Sequence, residues 1–371
     1  MKRAPTENDL RKQPDFTIFF TVLILAGFGL VMVFSASFIT SLESRGDAYF
    51  FLRRQAFWVV LGLIGMIATA NFSYWKWRKM VPILLLLNFL LLLAIYIPGV
   101  GVEINEARRW IAFGGFTLQP AEFSKLVLII FTAAFLSKKS IRMENFWQSS
   151  FIPLAFMGVT FLLILAQPDL GTGLAIAAVV GIIIFAAGIP FKQLSYLALT
   201  GIPIFIYLTL NEPYRMRRIF SFLDPWADPL ASGYQIIQSL YALGPGGLFG
   251  VGLGRSRQKL YYLPEPQNDF IFAIIGEELG FLGALTIMLL FFILFWRGFK
   301  TSLMAPDAFG SLLAAGVTAM VMVQALMNIG VVTGAIPVTG INLPFISAGG
   351  SSIFFAMCAM GILMNISRYS K

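Results

Sequence analysis

Apolar runs of membrane-spanning length divide the chain from end to end, at 16–38, 55–71, 81–98, 119–136, 151–166, 172–189, 194–210, 270–297, 310–334 and 345–366. A helix needs about 20 apolar residues to cross a bilayer's hydrocarbon core, and most of these runs reach or approach that length. They predict an all-α polytopic membrane protein with about ten transmembrane helices. The connections are short, with one exception at 211–268. That segment carries Tyr214, Phe220, Trp226, Tyr234, Tyr241 and Tyr261, too aromatic for a disordered linker. Within it Ile236, Ile237, Leu240 and Leu243 recur at helical spacing. They predict a short helix lying in the membrane interface, ended by Gly244-Pro245-Gly246-Gly247. The organisation is then a polar tail, 1–15, and one transmembrane domain, 16–371, with 211–268 as a long structured extracytoplasmic loop.

Composition makes the bilayer reading firm. Charged residues are 12% of the chain and hydrophobic ones 58%, where a soluble domain carries roughly 25% charged. The apolar run after the tail is too long for a signal-peptide core. Cys358 is the one cysteine, so no intramolecular disulfide forms. Histidine is absent, which removes the commonest general base and metal ligand. Chemistry therefore falls to carboxylates, lysines, arginines and neutral polar groups.

A net charge of +9 raises the question of nucleic acid, and placing the charges answers it. With ten spans and both termini in the cytoplasm, the inner segments hold fifteen basic residues: Lys2, Arg3, Arg11, Lys12, Lys76, Arg78, Lys79, Lys138, Lys139, Arg142, Lys192, Arg297, Lys300, Arg368 and Lys371. The short outer loops hold five: Arg45, Arg53, Arg54, Arg108 and Arg109. The positive-inside rule accounts for that asymmetry, so no nucleic acid is needed.

Four polar constellations fall on the outer side, where ionisable groups at membrane depth are costly and mark function. In Pro264-Glu265-Pro266-Gln267-Asn268-Asp269 the prolines delay the helix, so Asp269 sits near the start of the eighth span, at head-group level. It is read either as a helix cap or as a general base. Glu277-Glu278, two turns on, reads as a pair satisfied by protein neighbours. In Gln119-Pro120-Ala121-Glu122-Phe123-Ser124-Lys125, Glu122 and Lys125 share a helix face and pair; a structural ion pair and a phosphate contact are both open. Gln167-Pro168-Asp169-Leu170-Gly171 reads as a turn. Last come Arg108-Arg109 and the loop cations Arg215, Arg217, Arg218, Arg255, Arg257 and Lys259, suited to a phosphate-bearing substrate. The Gly-Pro-Gly-Gly and Gly250-x-Gly252-x-Gly254 stretches follow no buried strand and are not a nucleotide loop.

Those stretches resemble the SEDS family, the shape, elongation, division and sporulation proteins of bacterial cell walls. The resemblance runs from Phe34-Ser35-Ala36-Ser37 to Asn365. It is carried by Ala107-Arg108-Arg109-Trp110, the 119–125 and 167–172 segments, Leu263-Pro264-Glu265 through Ala273, Asn328-Ile329-Gly330, and Leu343-Pro344-Phe345-Ile346-Ser347. The 250–260 stretch is similar to the division and sporulation branch (FtsW and SpoVE) more than to the rod-elongation branch (RodA). Departures are Gln267-Asn268 where His-Thr is usual, Glu106 for Gly and Ala348 for Tyr.

The resemblance implies ten helices and a peptidoglycan glycosyltransferase polymerising lipid II outside the bacterial plasma membrane, with the division septum as one location. It also implies a class B penicillin-binding protein as partner, in the company of other divisome proteins. It makes Asp269 the catalytic candidate and places Lys125, Glu122, Arg109 and Asp169 in a polar substrate cavity, to which Arg215, Arg218 and Arg255 are added as phosphate contacts. No cofactor is fixed by any motif; a divalent cation such as Mg is compatible with a pyrophosphate leaving group. A lipid II flippase and a non-catalytic scaffold for the penicillin-binding protein are the competing classes.

Overall fold

The computed structural model describes residues 12–104, 107–113 and 116–370. Most of the tail, 1–11, and Glu106 lie outside them. Each of the ten apolar runs carries a helix: α1 (Phe16–Arg45), α2 (Phe50–Asn71), α3 (Tyr74–Ala94), α4 (Pro120–Leu136), α6 (Phe151–Leu165), α7 (Leu170–Ala186), α8 (Phe191–Leu210), α11 (Ile271–Met304), α12 (Ala308–Val332) and α13 (Gly350–Ser367). Short α5 (Phe146–Ser149), α9 (Pro213–Leu223) and α10 (Tyr234–Gly246) lie between them, with a 3-10 turn at Pro225–Ala227. Among the described residues, six of these helices are long and apolar enough to cross a membrane, and α6 and α7 are shorter apolar helices.

The turn chemistry follows local rules. Asp15, Asp169 and Asp307 cap α1, α7 and α12 by accepting from backbone N–H groups in the first turn, satisfying donors that would otherwise be orphaned. Pro120 opens α4 and Pro213 opens α9, where a missing N–H costs nothing.

At one end of the bundle Lys12 N donates to Arg368 O at 2.8 Å, Asp15 N to Ser367 Oγ at 2.9 Å, and Asp15 pairs with Arg297. The 12–15 segment and the end of α13 therefore share that end. Helices α2 and α13 lie against each other so closely that a Cβ on Gly361 would meet Thr69 Oγ1 at 2.0 Å. Small residues at such crossings are how helices associate without a hydrophobic drive. Helix α8 turns Phe191, Leu199, Ile202 and Tyr207 outward, and Thr209 is buried.

Two features add to the sequence reading. The first is a small antiparallel sheet between α3 and α4, β1 (Gly101–Ile104), β2 (Ala107–Phe113) and β3 (Phe116–Leu118), in that spatial order. Val102 faces Trp110, and Ala112 faces Thr117. The second concerns α10. Its Ile236 and Ile237 are buried and it packs on α11, so the apolar face covers protein rather than lying in the membrane interface.

Helix α11 is broken at Gly280, whose φ of +69° and ψ of −166° are non-helical. The 247–252 segment fills the break: Val251 N donates to Glu277 O at 3.0 Å, Gly252 N to Glu278 O at 3.0 Å, and Phe281 N to Gly247 O at 2.8 Å. The backbone groups freed by the break are thus paired inside protein, the condition for irregular backbone at membrane depth. The Glu277 and Glu278 side chains are buried. Glu278 takes Lys259 at 2.8 Å and the Ser35 hydroxyl, and Glu277 accepts from Ser256 and from Arg257 N. The pair is satisfied by protein neighbours.

Candidate functional site

At the end opposite the Asp15–Ser367 contact, a cavity of about 1060 Å³ is walled by α2, β2, the 165–171 turn, α9, the 265–269 approach to α11, the 336–342 loop and the start of α13. Four carboxylates and five arginines line it: Asp169, Glu212, Glu265 and Asp269, with Arg45, Arg54, Arg109, Arg215 and Arg218.

Asp269 stands just before α11, where Pro264 and Pro266 hold the chain out of a helix until Phe270. It caps nothing: the residue at the cap position is Phe270, and no side-chain cap bond forms. Its carboxylate is half-buried and accepts no hydrogen bond among the described residues. Its backbone carbonyl is fixed instead. Asn328, buried in α12, donates one amide proton to Asp269 O at 2.7 Å and the other to Ile341 O at 2.7 Å. Desolvation, with Glu265 adding to it, raises the Asp269 carboxyl from its ordinary value to about 6, and Arg218 and Arg109 oppose the rise.

The cations come from two elements. Alternation along β2 sends neighbouring side chains to opposite faces. Arg108 pairs outward with Glu103 at 3.1 Å, and Arg109 turns to the cavity, donating to Gln167 O at 3.0 Å and to Pro168 O. On α9, Arg215, Arg218, Ile219 and Phe222 all line the cavity, the spacing of one helix face. Arg218 lies 4.4 Å over the Tyr214 ring and donates to Val338 O at 2.8 Å. Burial lowers its pKa, and Asp269 and Asp169 partly oppose that. Asp169 does more than turn the chain: it caps α7 through Thr172 N at 3.1 Å and accepts from Gln119 Nε2 at 3.1 Å.

The remaining sequence candidates sit elsewhere. Lys125 and Glu122 are buried at 3% and 8% exposure and bonded to each other at 2.8 Å, behind the wall that Gln119 forms. One helical turn separates Gln119 from Glu122, enough to carry the pair off the cavity surface. Arg255 is exposed in the 250–259 loop, which is tied to the Gly280 break and not to the cavity. Among the described residues no group of His, Cys, Asp or Glu side chains is placed to hold a metal ion. Asn328, Gln119, Arg45 and Arg54 are wall or support residues that were not singled out from sequence; Asn328 and Gln119 both lie in segments that carry the family resemblance.

Comparison with known proteins agrees with this architecture. The family model described as cell cycle protein, FtsW/RodA/SpoVE, matches residues 16–371. The chain is 49% identical over 362 residues to stage V sporulation protein E of Bacillus subtilis, covering 97% of this chain and 99% of that protein. It is 41% identical to a probable peptidoglycan glycosyltransferase FtsW of a Geobacter species, over 95% of this chain and 96% of the relative. Among solved structures, a chain of a peptidoglycan synthase complex that coordinates polymerization and crosslinking superposes with a TM-score of 0.78 at 28% identity, over 96% of this chain and 98% of that one. The rod shape determining protein RodA of Thermus thermophilus gives 0.70 at 27% identity, over 96% and 97%.

Proposed function

The chain belongs to the FtsW/RodA/SpoVE family of cell cycle proteins, and on that premise we propose that it is a peptidoglycan glycosyltransferase polymerising lipid II, with Asp269 as general base. The observation that carries the assignment is a carboxylate with no hydrogen-bond donor on it among the described residues, facing a cavity whose walls hold Arg109, Arg215 and Arg218.

The reaction joins two lipid-linked sugars. The acceptor 4-hydroxyl oxygen attacks the donor anomeric carbon, and the bond from that carbon to the diphosphate oxygen breaks with its electron pair. The hydroxyl proton passes to the Asp269 carboxylate. The polyprenyl diphosphate leaves with the negative charge, which the arginines stabilise as it develops. A carboxyl near 6 is deprotonated at neutral pH and still basic enough to receive the proton. A single displacement of this kind converts an α-linked donor into a β-linked strand.

Asn328 and the 336–342 loop form the frame for this chemistry, since one loop holds Asp269 through Asn328 and Arg218 through Val338 O. The Lys125–Glu122 pair supports the wall from behind. A flippase requires a polar path to the opposite end, whereas the charged walls belong to the Asp269 end. The orientation that fits is termini in the cytoplasm and cavity outside, supported by the fifteen-to-five basic asymmetry of the loops. A class B penicillin-binding protein is the partner that suits a polymerase of this kind, and the likeness to a chain of a synthase complex supports it. Polymerisation of lipid II by the purified protein, alone and with that partner, tests the reading. Product in either arm supports it; lipid II left intact in both rejects it.

A further inference from the structure

A second cavity, of about 380 Å³, lies at the other end of the bundle, with most of the length of α11 between it and Asp269. Its walls are residues 13–17 at the entry to α1, the last two turns of α11 and the end of α13. From α11 it is lined by Arg297, Lys300, Thr301 and Met304, the i, i+3, i+4, i+7 spacing of one helix face. Asp15 is the one acid among the described lining residues, and both its oxygens are engaged. One accepts from Thr17 N at 2.9 Å and the other from Arg297 Nε.

Cationic capacity is left over. Arg297 meets Asp15 through Nε, and among the described residues its two Nη groups have no acceptor. Lys300 is exposed and, among the described residues, has no ion pair. Lys12 has none there either, and it is held beside the cavity: its N–H donates to Arg368 O at 2.8 Å and its ammonium to the carbonyl of the lining residue Ser370 at 3.4 Å. A phosphate takes the edge of a guanidinium bidentately and an ammonium as a point charge. The hydrocarbon is adjacent. Trp296, Phe299 and Leu303 each precede a lining residue of α11 by one position, which is roughly 100° around the helix, and all three are exposed, as are Phe16 and Phe20 on α1. On spanning helices such side chains meet lipid, with Trp at the level of the head groups. A cationic cavity beside a lipid-facing stripe suits an anion that carries its own acyl chains.

We propose that this cavity binds an anionic phospholipid of the adjoining leaflet, with the phosphate on Arg297 and Lys300, Lys12 beside it, and the acyl chains along Trp296, Phe299 and Leu303. Charge complementarity selects the lipid class. A zwitterionic head group brings its own cation toward Lys12 and Lys300, where Asp15 is already taken; phosphatidylglycerol brings none. The cavity volume, about 380 Å³, is at the lower end of the range for small-molecule sites, about 300–1,000 Å³, which fits a glycerophosphate head group whose tails lie outside. The lipid joins the start of α1 to the ends of α11 and α13, which already meet there through Asp15, and by mass action it stabilises the folded chain.

The test is a lipid titration. Detergent-purified full-length wild type and the Lys12→Gln/Lys300→Gln variant are titrated with phosphatidylglycerol. Native mass spectrometry gives the affinity of the tightest step, and melting temperature without added lipid checks folding. Lys138→Gln/Lys139→Gln, which removes two exposed lysines just past the end of α4, is the charge-matched control. The cavity variant should bind roughly thirtyfold more weakly, the loss of two cations at a membrane surface, and the control should bind as wild type does. Lys300→Gln alone should lose about fivefold, and it decides the question if the double variant melts below wild type. Phosphatidylglycerol should raise the melting temperature of wild type more than that of the cavity variant. Equal affinity in wild type and cavity variant overturns the site, and an equal loss in the control reduces it to the diffuse basic charge of this end. Phosphatidylcholine bound as tightly as phosphatidylglycerol overturns the charge argument. Glycerol phosphate raising the melting temperature as far as phosphatidylglycerol does overturns the lipid assignment and leaves a site for a soluble anion.

Discussion

Replacing Lys125 by Met separates support of the site from participation in it. In α4 the Lys125 ammonium is 2.8 Å from Glu122 Oε2, and both side chains are buried, at 3% and 8% exposure. Met keeps the apolar stem of lysine and removes the charge. Glu122 is then left as an uncompensated carboxylate inside the bundle. Breaking one side of a buried pair costs about 3–5 kcal/mol, much more than the pair contributes net, because desolvation of the remaining ion is no longer offset. Lys125→Met should therefore melt well below wild type in detergent. The double variant Glu122→Gln/Lys125→Met, which removes both charges, should recover most of that loss. Lipid II turnover per folded molecule should stay within about a factor of ten of wild type, since neither side chain lines the cavity. The reasoning is refuted if Lys125→Met melts with wild type yet makes no strand. That outcome would place the ammonium on the substrate diphosphate.

Other consequences are equally direct. Because a carboxyl held near 6 must be deprotonated to act, polymerisation should rise through pH 6 and level off above it; half-maximal activity near pH 4 would contradict the desolvated setting of Asp269. The sign for stability is opposite. A carboxyl whose folded pKa is raised favours the protonated folded state, so its contribution is lost as pH rises from about 4 to 6, and Asp269→Asn should melt no lower than wild type at pH 7. Arg218→Gln removes a cation that opposes the rise, so the acid limb should move to higher pH; an unmoved limb would show that Arg218 does not act on Asp269. Asn328→Ala leaves the buried Ile341 carbonyl and the part-buried Asp269 carbonyl without their donor, at about 1–3 kcal/mol for the buried one, and should lower kcat by more than the loss of folded protein explains; a loss matching folded protein alone would make Asn328 purely structural. A Cβ at Gly280 would meet Gly250 N at 2.3 Å on a backbone with φ +69°, so Gly280→Ala should cost about 2 kcal/mol or more; wild-type melting would mean the inserted loop is not fixed.

The helical architecture was legible because each long apolar run has only one way to satisfy its backbone in lipid. The ten runs and the described helices coincide to within a few residues at most boundaries, the exceptions being ends such as those of α1, α2, α3 and α11, where the helix runs on past the apolar stretch. The sheet at 101–118 was not legible: its strands are three to seven residues long, too short for alternation to stand out. Asp269 and Asp169 were legible as residues, but their difference was not. Both are acids beside a helix start, and only the three-dimensional contacts separate a cap that is fully bonded from a carboxylate that is free. Lys125 was ambiguous for the opposite reason. Its partner lies three residues away, so sequence shows that it pairs but not whether the pair faces a cavity. Arg45 and Arg54 were counted among the outer charges and no further, since nothing local reveals that Thr117, sixty-three residues on, orients one of them.

The central claim is that Asp269 takes the acceptor proton in an otherwise intact fold. Strand synthesis from lipid II by purified wild-type and Asp269→Asn protein at pH 7.5, with melting temperature recorded on the same samples, tests it most directly. The amide keeps shape and volume but is no base, and loss of a general base lowers the rate by roughly 10²–10⁴-fold. The predicted result is β-linked strand from wild type, at least a hundredfold less from Asp269→Asn, and melting temperatures that match or favour the variant. Near-normal strand synthesis by folded Asp269→Asn would contradict the account.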